Sequence, residues 1–111
     1  MSDTSTIHVG VLRLGLTIPG ARSLKDRRRA LASLRDRLRH RFEVTWSEIP
    51  AGERHTYAVA VLTTAGNDAR LIRSILDRIV NFVELSGKAH PTEVDVDVFP
   101  WHPRDHSWGS A

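Results

Sequence analysis

The chain has 111 residues, 41% apolar and 26% charged, which is enough for one domain with a two-layer core and too few for a second. Cysteine is absent, excluding disulfides, thiolate metal sites and cysteine nucleophiles and fitting a reducing cytoplasm. The net charge is +3, and no apolar run approaches the roughly 20 residues that cross a bilayer, so neither export nor a membrane partner is expected and a polyanion is.

In chain order, residues 1–6 read as a disordered leader. From Ile7 to Ile18, the residues Ile7, Val9 and Val11 alternate with His8, Gly10, Leu12, Leu14 and Leu16. Both faces are therefore apolar, as in a central strand flanked on both sides. Pro19-Gly20 is turn chemistry, Ser23 is placed to cap a helix, and Asp26 stands three residues on in a shortened capping box. The helix expected from about Leu24 carries Leu24, Leu31, Leu34 and Leu38 on one side, with Phe42 continuing the line. Its charge is lopsided. Between Arg22 and Arg41 there are nine basic residues against Asp26 and Asp36, a local balance of +7, so the rest of the chain sums to −4. Arg28, Arg35 and Arg39 form one flank beside Lys25 and Arg29. Arg27 falls in the apolar sector, where its stem is expected over the core edge with its head outward.

Phe42 to Ile49 alternates as a half-buried strand, 50–54 is a loop, and Thr56 to Thr64 is apolar on both faces, a second central strand. Asn67-Asp68 offers caps for a second helix with a broad apolar face from Leu71 to Val83, stopped at Gly87. Val94, Val96 and Val98 alternate with Asp95, Asp97 and Phe99, which suits an edge strand with its acids outward. The order β-α-β-β-α-β predicts an α+β, ferredoxin-like fold over 7–99, a four-stranded antiparallel sheet with two helices on one face. A polar tail, 100–111, carries Trp101 and Trp108.

The run Ile18-Pro19-Gly20-Ala21-Arg22-Ser23-Leu24-Lys25, the Arg-rich helix after it and the strand His8-Val9-Gly10-Val11-Leu12 resemble the YlxP-like family of small bacterial proteins, a domain of unknown function. The resemblance spans about Ile7 to Phe99 and implies the same ferredoxin-like fold. It also implies ribosome-linked work, because family members are commonly encoded near translation-initiation and ribosome-maturation factors. It supplies no catalytic residue, and the tail after Phe99 departs from the shorter family ending.

Arg22, Lys25, Arg28, Arg29, Arg35 and Arg39 are the candidate phosphate-binding residues, since cations along one helix flank meet a polyanion at several points and gain from counterion release. The bland alternative is a solvated face, with Asp36 partly pairing its neighbours. Backbone amides at the helix start, with Arg22, Ser23 and Lys25 near, are a second anion site to set against simple capping by Ser23, and capping is the reading preferred. No P-loop pattern is present. His102, Asp105 and His106 have metal-ligand spacing but follow no preorganised element, so no metal or cofactor is expected. His8 is read as a histidine of the open sheet face with no nucleophile or carboxylate placed beside it. Trp46 and Trp101 could stack bases, but basic residues do not interleave with them as in single-strand readers. The expectation is a non-enzymatic, cytoplasmic, RNA-binding accessory protein whose partner is ribosomal RNA or a ribosomal subunit. The alternative is a homodimer or protein-interaction module that works through the open sheet face or an edge strand.

Overall fold

The computed structural model describes residues 5–104. Residues 1–4 of the expected leader, and Asp105, His106 and Trp108 of the tail, lie outside the described residues. In chain order the elements are β1 (Ile7–Thr17), α1 (Leu24–Arg41), β2 (Ser47–Ile49), β3 (Tyr57–Gly66), α2 (Ala69–Ser86) and β4 (His90–Trp101). The strands pair antiparallel in the order β2-β3-β1-β4, an α+β, ferredoxin-like arrangement with both helices packed on one face of the sheet.

β1 is central because both of its faces are apolar, and the alternation now has a direction. Leu12, Leu14 and Leu16 are fully buried against the helices, while Val9, Val11 and Arg13 point to the open face. Register carries this phase across the sheet, with Leu12 opposite Leu62 and Val96, and Leu14 opposite Ala60 and Val94. Leu31, Leu34 and Leu38 of α1 and Ile72, Leu76, Ile79 and Val83 of α2 close the core above these residues. α2 sits close because Gly10 has no side chain. A Cβ there would collide with Ile72 and meet Leu76 at 3.0 Å.

The helix ends follow their local signals. Ser23 Oγ accepts from the Asp26 amide at 3.1 Å and Asp26 Oδ2 accepts from the Arg22 amide at 2.9 Å, a reciprocal cap displaced by one residue from the usual box. Asp68 accepts from the amides of Arg70 and Leu71, and Gly87 ends α2 in the left-handed region at φ 71°.

Two boundaries differ from the sequence pattern. The expected strand over Phe42 to Ile49 is a ladder only at Ser47–Ile49. Phe42 instead terminates α1, its amide donating to the Leu38 carbonyl at 2.8 Å and its ring packing edge-to-face on Phe82. Next to it, the Thr45 hydroxyl takes the Thr63 amide at 3.1 Å, so a side chain claims a donor that a backbone ladder would need. At the other end, β4 runs past Phe99 through Pro100 to Trp101, pairing Trp101 with Ile7, so these two residues belong to the sheet. β4 is an edge strand, and its acids together with Pro91 and Pro100 discourage pairing with another chain.

Candidate functional site

α1 presents its cations on two flanks separated by the buried leucine stripe. On one flank Arg28, Arg35 and Arg39 span about 16 Å of helix axis, with Lys25 and Arg29 further round toward solvent. Lys25, Arg28, Arg29 and Arg39 are exposed, and no described acid lies within ion-pair distance of them. Arg35 is different. Its guanidinium pairs with Asp36 at 3.1 Å and is half-buried, so it offers a polyanion less charge than its neighbours. Arg22 is exposed at the start of the helix, but its amide is already taken by Asp26. Ser23 caps the helix, and Asp26 returns the bond to the amide before it.

Arg27 does not carry its head outward as its place in the apolar sector suggested. Its Nη1 folds onto the loop after β2 and donates to the carbonyls of Arg54 at 2.8 Å, Tyr57 at 3.2 Å and Gly52 at 3.4 Å. Several carbonyls converging at the start of β3 hold a guanidinium through charge-assisted hydrogen bonds. Arg27 is therefore a structural clamp between α1 and the β2–β3 hairpin.

The second flank was not visible as a site in the sequence. Arg37 and Arg41 of α1 meet Arg78, Asn81, Phe82, Leu85 and Ser86 of α2, together with Phe42, around a cleft of about 400 Å³. Arg41 lies over the Phe82 ring at 5.5 Å and Arg78 over the Phe42 ring at 5.8 Å, while the two rings meet edge-to-face at 6.0 Å. Each arginine is thereby held by a ring and not by an acid. The one local hint in the sequence was the four-residue spacing of Arg37 with Arg41 and of Arg78 with Phe82, which places each pair on one helix face.

The open face of the sheet has opposite character. Arg13 Nη1 donates to Glu93 Oε1 at 3.0 Å and to Asp95 Oδ2 at 3.3 Å, and the Tyr57 hydroxyl donates to Glu93 Oε2 at 2.9 Å. Gly15 makes room for this cluster, since a Cβ there would lie 2.7 Å from the Tyr57 oxygen and 2.9 Å from Glu93. The Arg13 hydrogen bond, then that of Tyr57, holds the Glu93 carboxyl below the usual glutamate range, and the Glu93 hydrogen bond raises the Arg13 guanidinium above its ordinary value. Toward the start of β1 the same face turns apolar, with Ile7, Phe99 and Trp101 each more than a third exposed beside Val9.

His8 shares the phase of Gly10 and Leu12, so it lies on the helix side of the sheet and not on the open face. It stands opposite Gly66 and Pro100 with a buried Nδ1 that has no hydrogen-bond partner. Trp46 is 8% exposed and belongs to the core, which removes it from base stacking, whereas Trp101 is 45% exposed. No group of three metal-ligating side chains occurs among the described residues. None of the described helices is long and apolar enough to cross a membrane.

Among solved structures, the chain is similar to the de novo designed protein Foldit4 at a TM-score of 0.54 and 14% identity, covering 86% of this chain and 99% of that one. This likeness concerns the fold alone. A C-terminal segment of the alpha subunit of aIF2 from Pyrococcus abyssi matches at a TM-score of 0.40 and 16% identity, covering 89% of this chain and 52% of that one, too remote to support any argument. No curated protein sequence matches. A family model described as "Protein of unknown function (DUF503)" matches residues 9–96, from the third residue of β1 into β4, and the chain belongs to that family.

Proposed function

We propose that this is a non-enzymatic, ribosome- or RNA-associated accessory protein of the YlxP-like kind, acting in the bacterial cytoplasm and binding phosphates through α1. The observation that carries the proposal is the set of exposed cations Lys25, Arg28, Arg29 and Arg39, lying on one helix without a described acid to neutralise them. A helix used only for solubility gains from interspersed acids, which cancel repulsion along its face, and α1 has two. The cost of gathering like charges is recovered when a polyanion replaces its counterions with them. Such contacts position a partner and carry no sequence specificity.

The test is co-sedimentation with separated ribosomal subunits over a salt series, comparing the wild type with a variant carrying Arg28→Ala, Arg35→Ala and Arg39→Ala whose fold is verified by circular dichroism. The wild type is expected to travel with a subunit at moderate salt and the variant to stay behind. Equal behaviour of the two proteins removes the phosphate-binding role from α1.

A second reading has its own observation. Ile7, Phe99 and Trp101 form an exposed apolar area at one end of the open sheet face, beside edge strand β4, the kind of surface through which a protein-interaction module or homodimer would form. Association that persists at high salt and without the three arginines favours this reading, and sedimentation equilibrium with Trp101→Ser measures it.

A further inference from the structure

We propose that the cleft between the end of α1 and the C-terminal half of α2 is a site for one unpaired nucleotide of an RNA single strand. The base would lie against Phe82 and Leu85, and the phosphate among Arg37, Arg41 and Arg78. This rests on the RNA reading above and adds to it a place where a base, and not only a backbone, is held.

Three features of the cleft converge on that ligand. The first is unclaimed donor capacity. Arg37, Arg41 and Arg78 make no hydrogen bond or ion pair with any described residue, and no acid lines the 400 Å³ cleft. Two of the three guanidiniums rest over rings, which fixes their position while leaving the N–H fork free. A fork held in this way suits the paired oxygens of a phosphate. The second feature is apolar surface directly beside those cations. Leu85 is 87% exposed, and Phe82 is only half-buried. A ligand that satisfies both must be anionic at one end and apolar at the other, and a nucleotide is.

The third feature is Asn81, which lines the same cleft and has no described hydrogen-bond partner. Its amide offers a donor and an acceptor side by side, the arrangement a base edge presents in reverse. Ser86, by contrast, is already engaged, donating to the Val83 carbonyl and accepting from the Lys88 amide. An acidic peptide with an apolar side chain shares the charge and the apolar surface and can also pair its backbone with Asn81, so it is the neighbouring cationic ridge that favours a nucleic acid. The cleft also adjoins the ridge, because Arg39, His40 and Arg37 carry the exposed surface of α1 round its outer side from one flank to the other. A single strand crossing the helix reaches both.

The experiment measures fluorescence anisotropy of four labelled probes with the full chain. They are a single-stranded RNA, an abasic strand with the same number of phosphates, an RNA duplex, and a peptide alternating glutamate with leucine. The wild type is expected to bind the single strand about tenfold more tightly than the abasic strand, the worth of one stacked base. Phe82→Leu, which keeps the apolar contact but loses the ring, is expected to abolish that ratio while leaving duplex binding unchanged. Leu85→Ser, at a side chain 87% exposed and assigned to the base, lowers the same ratio without touching the core, so the result does not depend on how well Phe82→Leu folds. The triple ridge variant should weaken all three nucleic acids together and leave the ratio intact. Equal binding of the single and abasic strands by the wild type, or a ratio that survives the cleft variants, overturns this inference while leaving the ridge reading standing. Loss of the ridge effect with the ratio preserved does the reverse. Peptide binding that exceeds single-strand binding and disappears in the cleft variants also overturns it, assigning the cleft to a protein ligand.

Discussion

The outer surface of the helix layer and the open face of the sheet both carry arginines, and treat them in opposite ways. On the sheet, Arg13 is bound to Glu93 and Asp95, with Tyr57 completing the cluster across three strands. On α1, Arg28, Arg29 and Arg39 have no described acid within reach. The difference separates charge that serves the fold from charge held available to a partner. The Arg13 cluster ties β1 to β4, and β3 to β4 across β1, next to the register shift between Gly15 and Leu16. The ridge ties nothing, whereas Arg27, which does bridge elements, points to carbonyls after β2 and not to solvent.

If α1 is a platform whose inner face holds the fold and whose outer face does not, Leu34→Ala should cost about 2–5 kcal/mol in urea unfolding. Gly10→Val should cost about 1–3 kcal/mol by forcing α2 off the sheet at Ile72. Arg28→Ala with Arg39→Ala, in contrast, should change stability by no more than about 0.5 kcal/mol, yet reduce the slope of log affinity against log salt for a polyanion by about two. A large stability loss in that double variant would mean the ridge is structural after all.

The smallest effect expected belongs to the sheet face. Because the folded-state pKa of Glu93 is depressed, its contribution to stability is present above the ordinary glutamate range and fades as pH falls through the lower, folded value. Glu93→Gln should therefore flatten the acid limb of stability against pH while leaving the alkaline limb alone. The raised value of Arg13 adds no pH dependence in the accessible range, since the group stays protonated throughout. An unchanged acid limb in Glu93→Gln would show that the cluster positions side chains without stabilising the sheet.

Much of the fold was legible from residues near one another in the chain. Ser23 with Asp26, Asp68 with the next amides, and Gly87 at a left-handed position each complete a hydrogen-bond or steric requirement within a few residues. The apolar character of β1 and β3 likewise marked them as central, because only a strand covered on both faces tolerates it. Phe42 to Ile49 misled because alternation alone does not reveal that Phe42 has a better use against Phe82, forty residues away. His8 misled for a related reason. When both faces of a strand are apolar, the pattern cannot say which phase meets the helices, and here Gly10 and Leu12 take His8 inward with them.

The candidate site divides along the same line. That α1 would be a helix, that its cations would outnumber its acids and that they would flank a leucine stripe all follow from a 3.6-residue period and local capping. The pairing of Arg35 with Asp36 is between chain neighbours, but packing engaged Arg27 with the β2–β3 loop and brought Arg37 and Arg41 to Arg78 around two phenylalanine rings. Periodicity describes one element against an imagined core, whereas a cleft exists only once two elements have been pressed together, and nothing in either helix alone specifies which of its flanks the other will cover.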